Sequence, residues 1–221
     1  MFKYIDMIGV EIEGGWDAPP KVDLQQDESI TLRNGTCPFI GEVQSEPGNF
    51  ETVSKFIDEN CPDYVDPSCG FHIHVSLKST NFYLALTDKA FHDFFKKKAK
   101  EWATDQGLKP THRFFKRLVG ENKHCRDIFR PEEQIACRTK NDARAHIGSI
   151  PEDQIRRTQL NYCYGIHRTI ENRLFPCDTN PALLKSGVKM YIDTIEEFLD
   201  DHKLEDKVYE PVVIKMSELE V

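Results

Sequence analysis

Seven side chains have types and spacings that could do chemistry together: Glu11, Glu13, Glu42, His72, His74, Glu171 and Arg173. Six of them pair at a spacing of two, as Glu11 with Glu13, His72 with His74 and Glu171 with Arg173. Glu42 stands in the same relation to Gln44. On an extended strand, residues two apart share a face. Carboxylate oxygens with an occasional imidazole suit Mg²⁺ or Mn²⁺ better than Zn²⁺. Carboxylate-held Mg²⁺ commonly shares its shell with substrate phosphates, and a guanidinium can grip two phosphoryl oxygens at once. The set therefore reads as an ATP phosphate site. Neither G-x-x-x-x-G-K-[ST] nor G-x-G-x-x-G occurs, so a P-loop or Rossmann turn does not hold the nucleotide.

These side chains need strands under them, and the sequence supplies candidates. Residues 7–13 alternate, with Ile8, Val10 and Ile12 opposite Gly9, Glu11 and Glu13. In residues 40–45, Val43 opposes Glu42 and Gln44. Residues 70–77 set Phe71, Ile73, Val75 and Leu77 against His72, His74 and Ser76. Residues 166–175 set Ile166, Ile170 and Leu174 against His167, Thr169, Glu171, Arg173 and Phe175. Residues 30–33 read as a further short strand closed by Asn34-Gly35, and residues 212–214 as one near the end. Helices are predicted over 50–60, capped by Asn49, over 81–104 and over 181–202, each with an apolar stripe. Residues 107–151 have a weak pattern rich in Lys and Arg, and read as a short helix or two plus loops, a flap or insertion. This order lacks the regular βαβ alternation of a doubly wound fold. The predicted class is α+β, an antiparallel sheet with helices on one face, in one domain spanning 1–221.

A competing reading makes each polar face simply solvated. Solvated strand faces usually carry Thr, Lys, Ser and Arg, and Glu is a poor strand former. Four glutamates on one face repel unless positive charge sits among them. The chain has 221 residues, with 29 Lys and Arg against 37 Asp and Glu, for a net charge of −8. That balance argues against nucleic acid as a partner. No apolar run approaches membrane-spanning length, and the N-terminal stretch is interrupted by Lys3 and Asp6, unlike a signal peptide. The 7 cysteines are odd in number and form no C-x-x-C, which fits a reduced, cytoplasmic setting.

The segments Gly9-Val10-Glu11-Ile12-Glu13, Glu42-x-x-Ser45, Gly70-Phe71-His72-Ile73-His74-Val75 and Thr169-Ile170-Glu171-Asn172-Arg173-Leu174-Phe175 occur in that order. In this order the chain resembles the amidoligase family of carboxylate–amine ligases, which includes glutamine synthetase and glutamate–cysteine ligase relatives. Residues 171–181, ending in Asn180-Pro181, are similar to the metal-and-phosphate strand of glutamine synthetases. Asp27-x-Ser29 and Asn161-Tyr162-Cys163 resemble two further signatures. The resemblance spans residues 9 to about 200. It implies a curved antiparallel sheet of the glutamine synthetase catalytic-domain type, with helices on the convex face and ATP and Mg²⁺, or Mn²⁺, on the concave face. It implies that Glu11, Glu13, Glu42, His72 and Glu171 are metal ligands. Arg173, His74 and Glu42 would be catalytic, and Arg173, His74, Arg157 and Asn161 would hold ATP. The implied reaction passes the γ-phosphoryl group to a carboxylate, giving an acyl phosphate that an amine attacks. Its substrates would be a small-molecule or peptide acid and an amine, and an oligomer is compatible with it.

Other candidates have plainer readings beside them. Arg113 and Arg117 share a helix side, for a substrate anion or as a solvated basic face. Cys69 is read as a buried thiol rather than a nucleophile, and Glu46 as a turn residue rather than a ligand. A zinc hydrolase built on His72 and His74 would lack H-E-x-x-H and leave four glutamates unexplained. A kinase on the same kind of sheet, or a non-catalytic metal or nucleotide binder, are the alternatives to a ligase.

Overall fold

The computed structural model describes residues 2–27, 29–32, 37–129, 131–136, 157–163 and 167–202. Five strands form one open sheet: β1 (Ile5–Trp16), β2 (Phe39–Gln44), β3 (Gly70–Leu77), β4 (Leu160–Tyr162) and β5 (Thr169–Pro176). Their order is β2-β1-β3-β5-β4, with every neighbouring pair antiparallel. The helices are α1 (Phe50–Asn60), α2 (Thr80–Ala85), α3 (Lys89–Asp105), α4 (Arg113–Leu118), α5 (Pro131–Ala136) and α6 (Pro181–Asp201). The α+β class with an antiparallel sheet is as the sequence predicts.

Alternation builds the sheet's two faces. Val10, Ile12, Val43, Ile73, Val75 and Ile170 are all at most 1% exposed and meet the apolar stripes of the helices. Each such side chain removed from water contributes roughly 1.5–3 kcal/mol. Val53 and Ile57 of α1, Phe91 and Phe95 of α3, and Val188 and Ile195 of α6 close this core. Asn49 caps α1 by accepting from Thr52 N at 2.9 Å, and Asn180 caps α6 ahead of Pro181.

The elements depart from the predicted ones at four places. The helix predicted over 81–104 is two helices, α2 and α3. Asp88 lies between them and accepts from Ala90 N at 2.8 Å, so its carboxylate starts α3 afresh. The described part of the strand predicted over 30–33, residues 30–32, is irregular. The backbone that extends the sheet there is Gln25, which exchanges hydrogen bonds of 2.8 and 2.9 Å with Glu42. The strand predicted from 166 starts at Thr169, after Arg168 at φ 55°, a left-handed conformation that strands do not accept.

The fourth departure is a bulge. Phe71 faces Phe175 but Ile73 faces Asn172, so β5 carries one residue more than β3 between those pairs. The extra residue resets the alternation. Phe175 consequently leaves the polar face where the sequence put it and packs edge-on against Trp102 of α3, ring centroids 5.1 Å apart. Residues 33–36 and 212–214, with their predicted turn and strand, lie outside the described residues, as does part of 107–151; its described parts carry α4 and α5.

Candidate metal centre

Strand register lays the polar side chains out in rows. One row runs Gln44, Glu11, His72 across β2, β1 and β3. A second runs Gly9, His74, Glu171, Asn161 across β1, β3, β5 and β4. Glu13 faces Glu42 in a third. Side chains opposite one another in such rows start about 4.5–5.5 Å apart at Cβ. Gly9 leaves its place in the second row open beneath the imidazoles, with only Ser45 Oγ, at 3.7 Å, near where a Cβ would sit.

The side chains converge accordingly. Glu11 Oε2 lies 3.0 Å from His72 Nδ1, and Glu11 Oε1 lies 3.2 Å from His74 Nε2. His72 also approaches Glu171 at 3.5 Å and Glu13 at 3.7 Å. Three donor sets form, each with its ligand atoms within 4.8 Å of one another: Glu11, His74 and Glu171; Glu11, Glu42 and His72; and Glu13, Asp27 and Glu42. Asp27 is a member the sequence reading left without a role. The Gln25–Glu42 pairing carries it to the cluster; the Asp27-x-Ser29 resemblance is its sequence signal. Gln44 was also passed over. Its Nε2 donates to Glu42 Oε1 at 2.5 Å and to Glu11 Oε1 at 3.4 Å.

The electrostatics are those of a carboxylate nest without enough positive charge. Burial alone would raise Glu171, but Arg173, His74 and His72 outweigh it and hold it down at about 2. Glu11, also opposed by burial, is held well below the usual carboxylate range by hydrogen bonds from His72 and His74. Glu42 is left over: burial and the charge of Glu11 push it up to about 7. His74 resists its own burial and is raised by Glu11 and Glu171. The donor set therefore favours the protonated forms of His74 and Glu42. A divalent cation fits in place of those protons, and oxygen-rich sets suit Mg²⁺ or Mn²⁺.

The remaining predicted residues flank this nest. Arg173 Nη1 donates to Glu171 Oε1, while its Nε has no hydrogen-bond partner among the described residues. Asn161 donates to Glu171 Oε2 at 2.7 Å, so it orients a carboxylate and does not point at open space. Arg157 is half-buried on the approach to β4, outside the three donor sets. Arg113 and Arg117 form neither a basic face nor a substrate grip. Arg117 is 2% exposed and donates to the carbonyls of Arg173 at 2.9 Å, Cys69 at 3.3 Å and Phe175 at 3.4 Å. Arg113 donates to Asp66 O at 2.6 Å and to Cys177 O. Cys69 is buried, which raises its thiol to about 11, and Glu46 is exposed beyond β2. No described helix is long and apolar enough to cross a membrane. Comparison of the chain with protein-family models, curated proteins and solved structures gives no match.

Proposed function

We propose that the protein is an ATP- and Mg²⁺-dependent ligase that joins a carboxylic acid to an amine through an acyl phosphate, on a sheet of the glutamine synthetase type. The observation that carries this reading is the convergence of five carboxylates and two imidazoles beside one arginine on a single sheet face. A merely solvated face would not bury Glu13, His72 and Glu171 to 4% exposure or less. Glu11, Glu13, Asp27, Glu42, His72, His74 and Glu171 would hold the cations, which would screen the polyphosphate and polarise its terminal phosphoryl group.

The chain's own groups do the rest by position. Asn161 and Arg173 fix the Glu171 carboxylate from two sides. Gln44 holds Glu42 near Glu11. Arg173, whose Nε has no hydrogen-bond partner among the described residues, would follow charge onto the phosphoryl oxygens. Phosphoryl transfer requires positioning and positive charge more than covalent help.

The test is phosphate release from Mg-ATP with panels of acids and amines, with hydroxylamine as an acyl-phosphate trap. Amine-dependent release with hydroxamate formation is expected. A phosphorylated product formed regardless of amine would make the protein a kinase. No ATP consumption with any pair, despite Mn²⁺ binding, would leave a metal-binding protein.

A further inference from the structure

The polar face of the sheet is covered at one end and open at the other. Beyond Glu13, which is 4% exposed, the next place on the face belongs to Gly15. A Cβ there would lie 2.6 Å from Cys37 Sγ and 3.0 Å from Leu32 Cδ1, so Cys37 and Leu32 cover the sheet at this end. In the other direction Gly9 is partly exposed, and the last place on β1 that faces this way belongs to Met7, 46% exposed. Met7, Val22 and Val119 are the exposed large hydrophobic residues among the described ones, and Met7 alone of them is in a strand.

A bulge keeps Met7 on this face. Ile5 faces Leu77 and Met7 faces Ser76, so β1 carries one residue more than β3 between those pairs. The extra residue sends Ile5 into the core at 1% exposure, while Met7 stays on the side of Gly9 and Glu11. Met7 N–H donates to Ser76 Oγ at 3.1 Å, which fixes the pair. A single exposed methionine needs no explanation by itself, but this one begins a row that runs Met7, Ser76, Thr169 across β1, β3 and β5. The row has no charged member. Its hydroxyls are engaged, Ser76 Oγ by Met7 and Thr169 Oγ1 by His74 Nδ1 at 3.2 Å.

Along the sheet the rows follow one another: Glu13 with Glu42, then Glu11 with His72, then Gly9 with His74 and Glu171, then Met7 with Ser76 and Thr169. The first three supply the donor sets, and Arg173 reaches Glu171 in the third. In phosphoryl transfer the attacking and leaving oxygens lie roughly in line. A polyphosphate laid along the donor sets, with its terminal phosphoryl group at Arg173, leaves the fourth row to the group that attacks. We propose that Met7, Ser76 and Thr169, with the open place at Gly9, form the subsite for an apolar tail of the acid substrate. That tail is an alkyl or aryl chain reaching one row, about 6.5–7 Å, from a carboxylate at Arg173. The assignment to the acid rests on the ligase reading; the apolar site rests on the bulge, the register and the exposure of Met7.

The chain has 4 methionines, so methyl-¹³C methionine labelling gives few signals, and that of Met7 is identified by its loss in Met7→Leu. With Mg²⁺ and a non-hydrolysable ATP analogue present, hexanoate should shift the Met7 signal and acetate should not. In amine-dependent phosphate release, KM for hexanoate should lie about tenfold or more below that for acetate, since each buried methylene is worth roughly three- to fourfold. Met7→Asp should erase this preference and Met7→Leu should keep it. A Met7 signal that moves with the ATP analogue alone would overturn the proposal in favour of the nucleobase. Equal responses to both acids, or a preference retained in Met7→Asp, would overturn it too, and phosphate release with acetate would then leave the ligase reading standing. A hexanoate shift without amine-dependent phosphate release from any acid would instead remove the ligase reading and, with it, the assignment to the acid.

Discussion

At the scale of single residues, Arg173 and Glu42 carry the sharpest expectations. Arg173 is half-buried, paired with Glu171 and held above its usual pKa by Glu171, Glu13 and Glu11 against the cost of burial. A planar guanidinium can keep that carboxylate and still offer Nε to a phosphoryl oxygen, whereas the single ammonium of lysine cannot span both. Arg173→Lys should lower amine-dependent ATP turnover about 100- to 1000-fold, the usual loss for one electrostatic contact made in the transition state. Nucleotide affinity by calorimetry should barely change; a loss confined to affinity would make Arg173 a binding residue only. Glu42, pushed to about 7, keeps a proton at pH 6 that a metal ligand must give up. Mn²⁺ binding at pH 6 should therefore release protons, and markedly fewer at pH 8.5, as read by calorimetry in buffers of different ionisation enthalpy. Release that is independent of pH, or unaltered in Glu42→Gln, would remove Glu42 from the shell.

At the scale of elements, close backbone approach decides what reaches the site. A Cβ on Gly41 of β2 would lie 2.3 Å from Gln25 O, and backbone cannot step aside as a flexible side chain can. Gly41→Ala should break the Gln25–Glu42 pairing and carry Asp27 away from Glu13 and Glu42. The expected result is fewer bound Mn²⁺ ions by calorimetry and a stability loss of about 1–3 kcal/mol in denaturant unfolding. Unchanged stoichiometry would detach Asp27 from the cluster. The same elements show what the sequence could disclose. Strict alternation in 7–13, 40–45 and 70–77 exposed the two faces, and with them Glu11, Glu13, Glu42, His72 and His74, because period two is a local property. The β5 bulge, the pairing of Gln25 and the inward turn of Arg117 are set by partners 17 to 104 residues away, and no local pattern encodes them. The apolar residues on both sides of Asp88 read as one helical stripe, which hides the cap that starts α3.

At the scale of the whole molecule, protons and the proposed metal ions would compete for the same side chains. Glu42 has its folded pKa raised, so the folded state holds the extra proton and loses stability as pH rises from about 4.5 through 7. His74, also raised, contributes stability that is complete below 6.5 and is lost as pH climbs through its higher folded value. Glu11 and Glu171 are depressed; their contribution is present above 4.5 and lost as pH falls, toward about 2 for Glu171. His92, His112 and His124 are depressed mainly by burial and oppose Glu42, losing stability as pH falls below 6.5. None of those three is in a donor set, so their effect is the same with and without metal and cancels in the difference. What remains is set by the cluster: each pH unit below 7 costs about tenfold in metal affinity while Glu42 keeps its proton. Mn²⁺ at about 100 times its dissociation constant at pH 8 should add about 2.7 kcal/mol, or roughly 5–10 °C in thermal midpoint for a chain of this size. At the same Mn²⁺ concentration the increment over a chelator-treated sample should shrink steadily toward pH 5.5. Midpoint profiles that run parallel with and without Mn²⁺ would mean that the ion, if bound, is not held by Glu42 and His74.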